Sequence, residues 1–149
     1  MIEIKEISAD ETIDLRHLVL RNDMPREESV FEGDYEKETK HFGAFEDGKL
    51  IGVVSYHKKD TNNYKVNDVY RLTGLAIVKS HQGKGIGREL VETSLRKVTA
   101  NKAAFIWCFA RDFAVKFYVK LGFSLKIQEV LIPHIGSHRI MFKFITKDE

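Results

Sequence analysis

Residues Ile2 to Ile7 alternate apolar and charged side chains, the period of two that a half-buried strand requires. Ser8-Ala9-Asp10-Glu11 then offers a capping box, with Glu11 three residues after Ser8. Ile13, Leu15, Leu18, Val19 and Leu20 follow at helical spacing, which predicts a helix to about Arg21. Pro25 stops any continuation.

From Asn22 to Lys40 the periodicity fails. Asp23, Glu27, Glu28, Glu32, Asp34, Glu36 and Glu38 stand against Arg26 and Lys37, with few apolar residues between them. This reads as an acidic loop with at most one short helix, and a charge run of this kind is first of all a solvated face. A hairpin follows: His41 to Phe45, a turn at Glu46-Asp47-Gly48-Lys49, and Leu50 to Tyr56, with Asp-Gly suited to positive backbone angles.

Asp60-Thr61-Asn62-Asn63 reads as a polar loop. Val69 to Val78 is the next predicted strand, and Gly74 inside it is a candidate bulge. A glycine-rich turn leads into a helix from about Gly85 to Thr99. Ala103 to Phe109 reads as a buried strand and Asp112 to Leu121 as a helix. Two closing strands cover Ser124 to Ile132 and His138 to Ile145. The order β-α-β-β-β-α-β-α-β-β describes an α/β (α+β) chain, with a mixed, mostly antiparallel sheet flanked by helices. With no repeat, low-complexity tract or linker, residues 1–149 read as one domain.

Composition narrows the function classes. A net charge of +2 gives no reason to invoke nucleic acid or a membrane surface. The single cysteine, Cys108, cannot form an internal disulfide and suits a reducing, cytoplasmic setting. The start of the chain carries no secretory pattern, and the apolar run from Ala103 to Ala110 is too short to cross a bilayer. His41, His134 and His138 lack ligand-like spacing, so no metal is expected.

The informative segment is Leu75-Ala76-Ile77-Val78-Lys79-Ser80-His81-Gln82-Gly83-Lys84-Gly85-Ile86-Gly87-Arg88. Glycines where a strand hands over to a helix let backbone N–H groups approach an anion, and the helix N-terminus adds partial positive charge. The nucleotide P-loop needs four residues between its glycines and then Gly-Lys-Ser/Thr, which this segment lacks. The dinucleotide fingerprint needs a two-residue gap before its last glycine, whereas Gly83, Gly85 and Gly87 are spaced by two.

Gln82-x-x-Gly85-x-Gly87 resembles the pyrophosphate-binding motif of the GNAT superfamily of acyl-CoA-dependent N-acyltransferases. Ala114-Val115-Lys116-Phe117-Tyr118-Val119-Lys120-Leu121-Gly122-Phe123 is similar to its second signature, Phe-Tyr-x-x-Leu-Gly-Phe, about thirty residues later. The resemblance covers roughly residues 40 to 145. It implies acetyl-CoA as cosubstrate, with pantetheine along Leu75, Ala76 and Ile77. Gln82, Gly83, Lys84, Gly85, Ile86, Gly87 and Arg88 would hold the pyrophosphate. Tyr118 would protonate the departing thiolate. Ala114, Phe117 and Leu121 share a helix face and read as core, with Gly122 ending the helix in a left-handed cap.

The chain departs from the family at two points. Many relatives carry asparagine seven residues before the tyrosine, where this chain has Arg111. That arginine would hold a coenzyme A phosphate or a substrate carboxylate, or simply open the helix in solvent. No acid other than Asp68 lies on the strand before the glycine turn, so the general base stays open among His41, Asp68, the acidic loop and none at all.

The implied reaction is direct acetyl transfer to a primary amine in a ternary complex, with a backbone N–H such as that of Ile77 facing the developing oxyanion. The acidic loop suits a polyamine, an aminoglycoside or a peptide lysine, and Arg71 with Arg111 suits a carboxylate. An amino-acid-like acceptor reconciles both. A non-catalytic acyl-CoA-binding regulatory domain is the rival reading, and a homodimer stays open. Cys108, in an apolar run without a basic partner, reads as an inert buried thiol.

Overall fold

The alternation at the start of the chain forms strand β1 (Ile2–Ile7), which pairs antiparallel with β2 (Lys40–Glu46). The computed structural model describes residues 1–58, 68–100, 102, 104–132 and 136–145. Residues 60–63 and His134 of the sequence reading lie outside these, as does the side chain of His138. The remaining elements are β3 (Lys49–Lys58), β4 (Val69–Ile77), β5 (Ala104–Arg111), β6 (Ser124–Ile132) and β7 (Gly136–Ile145), with helices α1 (Ile13–Leu20), α2 (Ile86–Thr99) and α3 (Val115–Lys120). Short 3₁₀ turns precede α1 and α3 and interrupt the loops at Arg26–Ser29 and Lys79–His81.

The strands form one seven-stranded mixed sheet in the order β1-β2-β3-β4-β5-β7-β6. β4 and β5 run parallel, over Val69–Arg71 against Phe105–Trp107. The chain divides into two compact units, residues 1–57 with 72–98 and residues 58–71 with 99–149.

In the first unit Asp47 and Gly48, with φ of 50° and 81°, make the two-residue turn that the Asp-Gly pair predicts. The capping box also forms: the Ser8 amide donates to Glu11 Oε1, and the Glu11 amide to Ser8 Oγ. Leu15, Val53 and Ala76 form a buried cluster, with Ile7, Val19, Leu50 and Val78 packed against it. α2 turns Leu90, Val91, Ser94 and Leu95 inward, and Ser94 Oγ bonds the Tyr56 hydroxyl at 2.6 Å. α1 forms where the spacing places it, with one departure from a simple apolar face. Leu18 and Leu20 are exposed, and the fully buried position on the helix belongs to Arg16.

In the second unit β5 lies between β4 and β7, and Phe105 stacks on Phe142 and leans on Phe144. α3 closes as a Schellman motif. The Phe123 amide reaches the Tyr118 carbonyl, the Gly122 amide reaches that of Val119, and Gly122 sits at φ 92°. Phe117, expected in the core, is only half-buried, while its neighbour Tyr118 is buried.

Candidate active site

The strand-to-helix passage in the first unit is built to leave amides free. The Val78 amide is given to the Ile51 carbonyl, and successive residues of a strand alternate edges, so the N–H of Ile77 faces the other edge. The turn after it is braced. His81 Nε2 meets Glu46 Oε1 at 2.9 Å, Ser80 Oγ meets His81 Nδ1 at 2.8 Å, and Gln82 Nε2 donates to the Ile77 carbonyl at 2.8 Å. The hydrogen bond from His81 holds the Glu46 carboxyl below its ordinary value.

Gly83 and Gly85 adopt φ of 78° and 81°, where any side chain is strained, and a Cβ on either would meet open space. The first bond of α2 runs from the Glu89 amide to the Gly85 carbonyl, which leaves the N–H groups of Ile86, Gly87 and Arg88 ahead of its ladder. Among the described residues the amides of Gly83, Lys84 and Gly85 have no partner either. Six consecutive unpartnered amides at the start of a fourteen-residue helix fit a multiply charged anion. The side chains of Lys84 and Arg88 are exposed, and Arg88 pairs with Glu92 one turn on.

Leu75 and Ile77 are half-buried on β4 and Ala76 is buried. Gly74 sits on β4 in the left-handed region at φ 60°, and a Cβ there would stand 3.0 Å from Arg16 Nε and 3.1 Å from the Phe31 ring.

Beside this strand lies a buried polar network that sequence reasoning missed. Arg16 grips Asp34 through Nη1 at 2.6 Å and Nη2 at 3.1 Å, and both side chains are out of solvent. Asp34 also accepts the Phe31 amide at 2.7 Å and His57 Nε2 at 3.0 Å, which fills the four acceptor positions of a carboxylate. Burial alone would raise its pKa, but hydrogen bonds from His57 and Arg16, the arginine charge and the Phe31 amide together hold it far below the carboxylate range. Asp34 therefore does not belong to a solvated face, whereas Glu27, Glu28, Glu32 and Glu36 are exposed as expected.

His41 is part of the same network. Its Nε2 faces the Asp34 carbonyl at 2.9 Å and its Nδ1 the Ser55 hydroxyl at 2.6 Å. Burial lowers its pKa. With both ring nitrogens engaged in the interior, His41 is not placed to serve as a base. Asp68, the other candidate, faces Lys58 at 3.5 Å in the second unit.

In the second unit Tyr118 is buried between the rings of Phe117 and Phe123, with centroids at 5.1 and 5.4 Å. Arg71 lies over Phe109 at 4.7 Å and near Trp107 at 5.4 Å. Its Nε and the Trp107 indole N–H are both buried without a hydrogen-bond partner among the described residues. Burial pulls the Arg71 pKa below its ordinary value. Arg111 is exposed at the end of β5, beside the Phe113 ring. Cys108 is buried, and burial pushes its thiol up to about 12. Among the described residues no cluster of His, Cys, Asp and Glu fits a metal ion, and no helix is long and apolar enough to cross a membrane.

The model of the acetyltransferase (GNAT) family matches residues 4–123. The chain belongs to that family. As a GNAT acetyltransferase it has a relative in Bacillus subtilis (strain 168), YitI, named an uncharacterized N-acetyltransferase, which is 30% identical over 143 residues and covered to 96% in both chains. Two solved structures share the fold. Escherichia coli ElaA superposes with a TM-score of 0.76 at 16% identity, over 96% of this chain and 99% of that one. An aminoglycoside 6'-N-acetyltransferase complexed with coenzyme A gives 0.73 at 17% identity, over 95% and 96%.

The sequence pointed to the glycine turn and Tyr118 because each is local. Arg16, Asp34, His57 and Thr73 come from α1, a loop, β3 and β4, so their only sequence signal was a lone arginine among the apolar positions of α1.

Proposed function

We propose that this GNAT acetyltransferase moves the acetyl group of acetyl-CoA onto a primary amine by direct attack within a ternary complex, with residues 1–149 acting as one catalytic domain. The observation that carries the reading is the run of six unpartnered amides from Gly83 to Arg88 at the N-terminus of α2. Charge-assisted hydrogen bonds contribute about 1.5–3 kcal/mol each, so a few of them suffice to anchor a pyrophosphate. Gln82 orders the turn through its bond to the Ile77 carbonyl. Lys84, Arg88 and Arg111 supply exposed positive charge for the phosphates.

The pantetheine arm would run along Leu75, Ala76 and Ile77, pairing with the strand as an added strand would. The N–H of Ile77 suits the oxyanion that forms when the amine attacks the thioester carbon. Tyr118 is the group for protonating the leaving thiolate: a phenol titrates near 10 and a free thiol near 8.5, so the transfer is uphill by only about 1.5 units and within reach of a positioned donor. Arg71, desolvated beside Trp107 and Phe109 with no ion partner among the described residues, favours an acceptor that also carries a carboxylate. The lone buried cysteine is in keeping with work in a reducing, cytoplasmic compartment.

The test is calorimetry with acetyl-CoA followed by thiol release with spermidine, kanamycin, a lysine peptide and phenylalanine. Micromolar binding with release on one amine class is expected. Absence of acetyl-CoA binding would remove the reading.

A further inference from the structure

Two hydrogen bonds of the buried network lead outward to β4. His57 Nε2 lies 3.0 Å from Asp34 Oδ1, and His57 Nδ1 lies 2.9 Å from Thr73 Oγ1. Asp34 already receives both Arg16 Nη atoms and the Phe31 amide, so it acts as the acceptor toward His57, and in the neutral ring the proton is assigned to Nε2. In that tautomer Nδ1 is a lone pair, to which Thr73 donates its hydroxyl proton. The oxygen of Thr73 is left with its own lone pairs, on a side chain that is only part-buried. Thr73 stands one residue before the left-handed Gly74 and two before Leu75.

Two further residues frame this arrangement. Arg16 from α1 neutralises Asp34, and His41 from β2 meets the His57 ring edge-on at 6.3 Å with its own nitrogens spent on Ser55 and the Asp34 carbonyl. The ring is 3% exposed, so no bulk water competes for Nδ1.

We infer that Thr73, His57 and Asp34 form the proton relay that serves the acceptor amine; this rests on the acetyl-transfer reading above. As the amine nitrogen bonds to the thioester carbon, one N–H breaks and its proton passes to Thr73 Oγ1. The Thr73 proton passes to His57 Nδ1, and the imidazolium so formed is held against the Asp34 carboxylate. The C–S bond breaks, the thiolate takes a proton from Tyr118, and exchange with solvent returns His57 and Tyr118 to their starting states. The sum is amine plus acetyl-CoA giving amide plus free coenzyme A. Thr73 is the catalytic residue of the relay, and His57 and Asp34 act through it.

Two measurements on the full chain test the relay. Nitrogen-15 NMR of the histidines at pH 7.5 reads the tautomer directly. A bare Nδ1 on His57 that shifts in Thr73→Val is expected, and a protonated Nδ1 overturns the relay whatever the enzyme's activity. The second is thiol release from acetyl-CoA with the four amines named above. Thr73→Val is expected to lower kcat tenfold or more, against the roughly 10²–10⁴ typical of positioned proton transfer, while the Kd for acetyl-CoA holds and Thr73→Ser restores the rate. Equal kcat in Thr73→Val overturns the relay and leaves acetyl transfer standing. No release by the wild-type chain removes both, and acetyl-CoA binding then tells whether the donor half survives.

Discussion

Arg16 and Asp34 meet as a two-pronged ion pair from which solvent is excluded, with Nη1 to Oδ2 at 2.6 Å and Nη2 to Oδ1 at 3.1 Å. Removing one partner strands the other charge in the interior, which costs about 3–5 kcal/mol. Arg16→Met should therefore lower the urea midpoint sharply. The double variant Arg16→Met with Asp34→Leu should recover part of the loss. A midpoint unchanged in the single variant would mean that the pair is solvated in solution.

The same network sets a pH dependence. His41 titrates below its ordinary value of 6.5 in the folded chain, chiefly because burial disfavours the cation. The unfolded chain takes up that proton first as pH falls, so the stability contributed above about pH 6.5 is lost on going below it. Asp34, also depressed, contributes stability that is lost only in stronger acid, below the ordinary carboxylate range. Unfolding free energy should fall between pH 7 and 5, at up to about 1.4 kcal/mol per pH unit for the single proton. A His41→Asn chain that keeps the full slope would show that another group carries it.

Gly85 tests the donor site. Its φ of 81° strains any side chain by about 1–2 kcal/mol, yet a Cβ would meet nothing within 4 Å. Gly85→Leu should fold, with a modestly lower melting temperature, and bind acetyl-CoA at least tenfold more weakly. Undiminished affinity in the folded variant would mean that the turn holds something else.

Tyr118→Phe keeps the ring that packs on Phe117 and Phe123 and deletes only the hydroxyl. Turnover should drop at least tenfold while acetyl-CoA affinity stays within a factor of about two, since proton transfer by a positioned group is worth roughly 10²–10⁴. A rate equal to wild type would take Tyr118 out of the mechanism.

Arg71 separates acceptor classes. Arg71→Met replaces a desolvated cation by an apolar chain of similar length, so the thermal midpoint should hold or rise. Its KM for phenylalanine should increase about tenfold, while that for phenethylamine, which lacks the carboxylate, should stay put. Parallel changes for both amines would argue against carboxylate recognition.

What the sequence could disclose was decided by range. The Asp47-Gly48 turn, the Ser8–Glu11 box, the glycine turn and the Gly122 cap each need only a few adjacent residues, and each was readable. Helical spacing predicts α1 through Leu18 and Leu20, which the structure leaves exposed, but apolar periodicity cannot value an arginine whose carboxylate lies eighteen residues away. Asp34 was hidden for the same reason, as one acid among seven in a stretch whose other members are largely exposed. His57 closes a run of apolar strand residues and gave no sign that a threonine on the next strand awaited it.

The burial of Cys108 has a practical consequence at the bench. Because its thiol is masked and reluctant to ionise, the native chain should stay silent toward disulfide reagents, and any colour in a continuous assay belongs to released coenzyme A. Being the sole cysteine, it also serves as an intrinsic clock: the rate at which it labels under mild denaturant reports the opening of β5, with no dye or tag attached.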